Sequence, residues 1–260
     1  MKDALIGFTG FVGSNINNYH NFKYKYNSKN INEIKNKSFN LIVCAGAPAE
    51  KWKANQNPSD DLNNINRLIR KLDTISANKF ILISTVDVYP VTFGVNENTE
   101  IQESSLHAYG KHRYKLEKFV MNKFNNHLII RLPGLFGRGI KKNIIYDLLY
   151  NNALDYTHQN SIFQFYGLDN LWNDIQIIKN KEINLINFST EPIRVSDLAK
   201  KCFGIKFANK TINIPVKYDI KTKYDKLFGK SNGYIIDKKD VIKQIKLFVT
   251  NYKEENKWII

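Results

Sequence analysis

The sequence predicts an α/β fold, a doubly wound parallel sheet followed by a small C-terminal portion. Three observations predict it. Short apolar runs of strand length alternate with stretches of helical spacing. Several of those runs are apolar at successive residues, as strands covered on both faces are. Three of them run into residues suited to a ligand cleft, Gly7, Thr85 and Pro133, at the carboxyl ends where doubly wound sheets bind their ligands.

Ala4-Leu5-Ile6 reads as a buried strand ending at Gly7, and Ser14 to Tyr19 as a short helix. Phe22 to Tyr26 alternates as a second strand, followed by a helical turn from Ile31 to Lys35. Asn40 to Ala45 is an apolar third strand. Pro58-Ser59-Asp60-Asp61 offers a helix start, after which Leu62, Ile65, Leu68, Ile69 and Leu72 recur at helical spacing. Phe80 to Ser84 is a fourth strand, Tyr109 to Lys123 a helix, and His127 to Leu132 a strand stopped by Pro133. Further on, Asn143 to Tyr150 and Leu171 to Ile178 read as helices, and Ile162 to Tyr166 and Ile183 to Phe188 as strands. A last helix begins at Val195, with Ser196 as its expected cap.

A chain of 260 residues, 43% of them hydrophobic, can bury a full core. The expected division is a dinucleotide-binding core over residues 1–135, with returning elements around 162–188, and a mainly substrate-binding portion over 136–260. No apolar run reaches the roughly 18 residues that span a bilayer, so no membrane partner is expected. The N-terminal residues lack the long apolar stretch of a secretory signal. Cys44 and Cys202 form no disulfide framework, and a reducing cytoplasm is the expected setting. Neither the cysteines nor the five histidines have metal-ligand spacing, so no metal is expected. The net charge of +15 comes from lysines scattered along the chain, which argues against a nucleic-acid partner. Part of it suits an anionic dinucleotide or nucleotide sugar.

Gly7, Gly10 and Gly13 follow the first strand at the spacing G-x-x-G-x-x-G. Glycines there permit a tight turn and a close backbone approach to a pyrophosphate. The amides opening the next helix then receive its charge. The second strand supplies the group that reads the adenosine ribose. Ser28 and Lys29 stand there instead of an acid, which favours NADP over NAD.

Tyr109 and Arg113 lie four apart on one helix face. A free tyrosine titrates at about 10, and a neighbouring cation lowers that value. Tyr109 is then a general acid in ketone reduction and a base in alcohol oxidation. Thr85, at a strand end, can hydrogen-bond the same substrate oxygen.

The ordered set Gly7-Phe8-Thr9-Gly10-Phe11-Val12-Gly13, Ser84-Thr85-Val86-Asp87-Val88-Tyr89, Tyr109-Gly110-Lys111-His112-Arg113 with Glu117, and Arg131-Leu132-Pro133-Gly134-Leu135-Phe136-Gly137 resembles the extended short-chain dehydrogenases/reductases. This is the group of NAD-dependent epimerases/dehydratases that mostly act on nucleotide sugars. Leu168 to Leu171 and Ile186 to Pro192 also look like that family's later landmarks, so the resemblance runs to about residue 200. It implies a Rossmann-like core in which Gly7, Thr9, Gly10 and Gly13 hold the pyrophosphate, with Phe11 and Val12 donating amides. Ala45 and Gly46 would line the dinucleotide, Thr85 would be catalytic, Tyr109 and Arg113 would serve both cofactor and catalysis, and Pro133 would lie near the nicotinamide. It also implies a homodimer.

Two departures narrow this expectation. The family's lysine, four residues after the tyrosine, is Arg113 here, and the two are not interchangeable at a fixed geometry. The Asp-Glu pair of the 4,6-dehydratase branch is Val86-Asp87, which disfavours dehydration. The third strand and the short C-terminal part lean toward a reductase such as dTDP-4-dehydrorhamnose reductase. The expected function is NAD(P)-dependent oxidoreduction or epimerisation at a sugar carbon, on a nucleotide-linked, 4-keto sugar. The alternative is a non-catalytic dinucleotide- or nucleic-acid-binding protein that keeps the fold.

Overall fold

The computed structural model describes residues 2–255. In chain order its strands and helices begin with β1 (Asp3–Ile6), α1 (Phe11–Tyr19), β2 (Tyr24–Tyr26), β3 (Ser38–Cys44), α2 (Lys51–Gln56) and α3 (Pro58–Leu72). There follow β4 (Ser76–Thr85), β5 (Phe93–Val95), α4 (Ala108–Lys123), β6 (His127–Leu132), β7 (Gly134–Phe136) and α5 (Ile144–Tyr150). The remainder are β8 (Ile162–Phe163), β9 (Phe165–Gly167), α6 (Leu171–Ile178), β10 (Leu185–Asn187), β11 (Ile193–Arg194), α7 (Val195–Leu198), β12 (Asp219–Ile220) and α8 (Lys238–Glu255).

Six strands form one parallel sheet in the order β10-β6-β4-β3-β1-β2. From β1 the chain runs outward to β2, then crosses back to place β3 on β1's other side. The order therefore reverses between β1 and β3, and the crevice beyond that switch point is where such sheets take ligands. Ala4, Ile6, Ile42, Cys44, Phe80, Leu82 and Ile129 form one buried cluster with Ile65 and Leu72 of α3 and Leu116 and Val120 of α4. The alternate residues Leu5, Val43, Ile81, Leu128 and Ile130 are buried as well, so both faces are covered. Phe80 and Phe124 stack at 4.2 Å between centroids, pinning the end of α4 to the sheet. Helix α3 is set by Pro58 at its start, Asp60 and Asp61 in its first turn and Arg70 and Lys71 in its last, each matching the helix dipole.

The chain divides into two compact units. The first runs to Val91 and takes in Glu97–Leu132 and Asp169–Asn187; it holds the whole sheet. The second comprises Thr92–Asn96, Pro133–Leu168 and the chain from Phe188 onward. Its strands are short pairs: β7 with β9, β8 with β11 and β5 with β12.

Several elements differ from the sequence reading. Helix α1 starts at Phe11, three residues early, because Gly10 ends the turn and acts as its N-cap. Strand β4 extends back to Ser76 along β3, with Ser38 opposite Ser76. Ile162 to Tyr166 is two strands, because β8 pairs with β11 and β9 with β7. Ser196 is not the cap of α7: Arg194 occupies that position, no side-chain hydrogen bond closes it, and a π turn over Ala199–Phe203 continues the helix. Helices α2 and α8 were not anticipated.

Candidate functional site

All the groups described next belong to the first unit, with Pro133 as the exception. Gly7 leaves β1 with φ +87°, a conformation that side chains rarely adopt. Its amide donates to the Tyr26 carbonyl at 2.7 Å, and the Gly10 amide donates back to Gly7 at 2.9 Å. A Cβ on Gly7 would strike the carbonyl of Ala45, and one on Gly13 would strike the carbonyl of Gly7. The turn is therefore packed backbone against backbone, which holds Gly7 next to Ala45 and Gly46 at the switch point. Helix α1 opens behind it at Phe11 and Val12 with no side-chain cap and no acid in its first turn. Its leading amides and positive dipole end are thus left to an anion, with exposed Thr9 beside them. Ser28 and Lys29 stand exposed in the turn after β2. That turn is fixed by the Lys29 amide on Asn27 Oδ1 at 2.9 Å and the Asn27 amide on Asn30 Oδ1 at 2.7 Å.

Thr85 ends β4, where its hydroxyl accepts from the Asp87 amide at 3.1 Å. The Tyr109 side chain lies near enough to Thr85 for that residue to act on the Tyr109 hydroxyl, so the structure brings the predicted hydroxyl pair together. His107 caps α4 through Nδ1, which accepts from the Gly110 amide at 3.1 Å. Lys51 of α2 pairs with Asp87 at 2.8 Å, and Asn55 accepts the Tyr109 amide at 3.0 Å. Gly110 packs so closely on the Asp87 carbonyl that a Cβ there would overlap it.

Arg113 is 3% exposed and is held by Asp61. Its Nη2 donates to Asp61 Oδ1 at 2.8 Å, Nη1 donates to Oδ2, and Nη2 also donates to the Pro48 carbonyl. His112 Nδ1 lies 2.7 Å from the same carboxylate. The guanidinium carbon sits 4.0 Å from the centre of the Tyr109 ring. Burial raises the Asp61 carboxyl, but hydrogen bonds from Arg113 and His112 outweigh it and hold the group below the usual carboxylate range.

The expected lowering of Tyr109 is reversed. Burial pushes its hydroxyl up to about 12; Arg113 and Thr85 act downward, and Asp87 and Asp61 push it further up. The arginine acts in the anticipated direction, but it lies over the ring face and shares its charge with Asp61. Tyr109 is therefore a neutral phenol at ordinary pH. Burial and Lys51 lower His107, against a smaller upward pull from Asp87.

A second buried polar network lies at the ends of β4, β6 and β10. Arg131, 2% exposed, donates to Glu117 Oε2 through Nη2 at 2.6 Å, and Ser84 donates to Glu117 Oε1 at 2.5 Å. The Arg131 guanidinium lies 4.8 Å from the Tyr89 ring centre, and the Tyr89 hydroxyl bonds Asn187. The Asn187 amide donates to Glu97 at 2.8 Å.

Four of the sequence motifs thus meet in this network, though none of its members was expected at a site. Pro133 follows β6 and is buried at the start of the second unit's middle segment. Lys51, Asn55 and Asp61 were missed, since their partners stand 36 to 54 positions away in the chain. Among the described residues no group of three or more His, Cys, Asp or Glu could hold a metal ion.

The residues present suit a dinucleotide. The glycine turn leaves room for a close backbone approach, α1 opens without a cap, and buried Arg113 Nε is a donor with no partner among the described residues.

No family model matches the chain, and no curated protein matches it at a significant level. Solved structures do. MoeE5 in complex with UDP-glucose and NAD superposes with a TM-score of 0.75 at 12% identity, covering 98% of this chain and 99% of that one. The dTDP-4-dehydrorhamnose reductase of Bacillus anthracis in complex with NADP gives 0.75 at 15% identity, over 96% and 99%. The UDP-glucose 4-epimerase of Thermotoga maritima with UDP-glucose gives 0.67 at 13%, over 98% and 99%. At such identities the likeness concerns architecture alone: the chain has the Rossmann-type α/β fold of these structures.

Proposed function

We propose that this chain is an NAD(P)-dependent oxidoreductase or epimerase of the extended short-chain type, acting at a hydroxyl- or keto-bearing carbon of a nucleotide-linked sugar. One observation carries the reading: Thr85 at the carboxyl end of β4, Tyr109 and the Arg113 guanidinium, 4.0 Å from the Tyr109 ring centre, lie together in the unit whose switch point holds the glycine turn. The solved structures of this fold, with their nucleotide sugars and NAD or NADP, support the substrate and cofactor class.

Gly7, Gly10 and Gly13 with the amides of Phe11 and Val12 would hold the pyrophosphate, beside Thr9, Ala45 and Gly46. Ser28 and Lys29 would meet the adenosine ribose, and exposed Lys29 favours the 2′-phosphate of NADP. A bound nicotinamide dinucleotide supplies or accepts the hydride exchanged at the sugar carbon. Thr85 orients the substrate oxygen. Tyr109, neutral because it is buried, donates the proton to that oxygen as a ketone is reduced. Arg113 positions the Tyr109 ring from beneath. Val86 in place of a carboxylate leaves elimination of water without an acid. A keto-reductase is the reaction favoured.

A dinucleotide binder without turnover is the second reading, and the sequestration of Arg113 by Asp61 is the observation in its favour. Incubation with NADPH and a panel of nucleotide-4-keto sugars separates the two. Consumption of NADPH by the wild type and none by Tyr109→Phe supports the enzyme. Equal rates in both would remove Tyr109 from the chemistry.

A further inference from the structure

The second unit carries a loop whose base is fixed and whose tip is bare. The Asn209 side-chain amide donates to the carbonyls of Leu154, Asp155 and Thr157 at 3.2, 3.0 and 2.9 Å, and the Asn209 carbonyl accepts from Gln159 at 2.8 Å. Seven residues on, the Val216 amide donates to Ser161 Oγ at 3.2 Å, and its carbonyl accepts from Ile162 at 2.8 Å. Between these anchors Ile212 and Ile214 stand 106% and 88% exposed. Tyr156, on the segment that grips Asn209, is 87% exposed. Large apolar side chains held in water by a polar scaffold are costly, and such patches mark interaction sites.

The sequence that carries the tip is of one charge sign, although Asp155 lies on the segment that grips Asn209. From Leu198 to Tyr218 the sequence has five lysines and no acid. Lys206, Lys210 and Lys217 are exposed.

We propose that the loop from Asn209 to Val216 docks the protein on an anionic lipid bilayer, its isoleucines entering the headgroup–acyl boundary and its lysines meeting lipid phosphates. A protruding aliphatic tip with flanking ammonium groups matches a surface that is apolar at depth and negative above. Tyr156 is the residue type that sits at that boundary. Nucleic acid would call for stacking platforms, and between its anchors the loop carries neither an aromatic nor an arginine, Tyr156 lying on the neighbouring segment. None of the described helices is long and apolar enough to cross a membrane, and a loop seated at the surface needs no span. The absence of spanning runs, from which no membrane partner is expected, does not bear on a loop seated at the surface.

The test is sedimentation of the full chain with phosphatidylglycerol/phosphatidylcholine vesicles and with phosphatidylcholine alone. Binding is expected only to the anionic vesicles, falling as salt screens the lysines. The double change Ile212→Asn with Ile214→Asn should cut partitioning at least about tenfold without altering the melting temperature. Lys210→Glu should cut it by at least about fivefold. An environment-sensitive fluorophore on Ile212→Cys should shift to the blue on vesicle addition, a readout that does not depend on the asparagine variants folding. No binding to either vesicle, or binding unchanged by the isoleucine changes, overturns the proposal. So does a concentration-dependent dimer that the same changes dissolve, which would assign the tip to a second copy of the chain. None of these outcomes depends on the catalytic reading.

Discussion

Arg113 and Asp61 close a buried bidentate ion pair across α4 and α3, with Arg113 Nη2 2.8 Å from Asp61 Oδ1. The pair converts what the sequence offers as a free cation beside Tyr109 into a fixed plate under its ring. Removing one partner of such a pair strands the other charge in the interior. Asp61→Asn is therefore expected to lower unfolding stability by about 3 kcal/mol. Urea titration checks it.

The same pair sets an acid limit. The Asp61 carboxyl is held below its ordinary value in the folded state. Its contribution is therefore present above the unfolded value of about 3.9 and is lost as pH falls through the folded value. As pH falls below about 4 the wild type should lose more stability than Asp61→Asn. Parallel curves would show that Asp61 titrates normally.

Tyr109 titrates at about 12 because it is buried, so the phenol stays protonated through the neutral range. Ketone reduction, which needs the acid form, is expected to show no Tyr109 limb between about pH 6 and 9. Alcohol oxidation, which needs the base form, should keep rising with pH over that range. Tyr109→Phe should lose about 10²-fold or more in kcat while binding the dinucleotide as before.

Lys29 is exposed in the turn after β2. Lys29→Glu should weaken NADPH about tenfold and leave NADH nearly unchanged, since only the former carries the 2′-phosphate. Equal effects on both forms would remove Lys29 from recognition.

Glu117 is fully buried against Arg131. Glu117→Ala should cost about 3–5 kcal/mol and lower the melting temperature sharply. Glu117→Gln, which keeps the hydrogen-bonding shape, should cost less.

The parallel sheet was legible because its strands are continuous apolar runs and its turns are marked by glycine and proline. Gly7, Thr85 and Tyr109 were legible for the same reason: each sits at a strand end or helix start that local pattern locates. Asp61 was not. It occupies the first turn of α3, where an acid suits the helix dipole, and nothing nearby in the chain signals a partner 52 residues away. Tyr109's titration was misjudged because burial is a tertiary property, and it outweighs a cation four residues along the same helix. The long helix α8 was legible and escaped notice: Val241, Ile245, Phe248 and Val249 recur at helical spacing, with Lys243 and Lys246 on the exposed face. Ser196 is a good cap by type, but the chain had already entered the helix at Val195.

The central claim is a dinucleotide site built on the glycine turn, and titration of the full chain with NADPH and NADH, following nicotinamide fluorescence, tests it most directly. Saturable binding in the micromolar range is expected, retained in Tyr109→Phe and lost in Gly13→Ala, whose Cβ would strike the Gly7 carbonyl. Absence of binding by both forms in the folded wild type would contradict it.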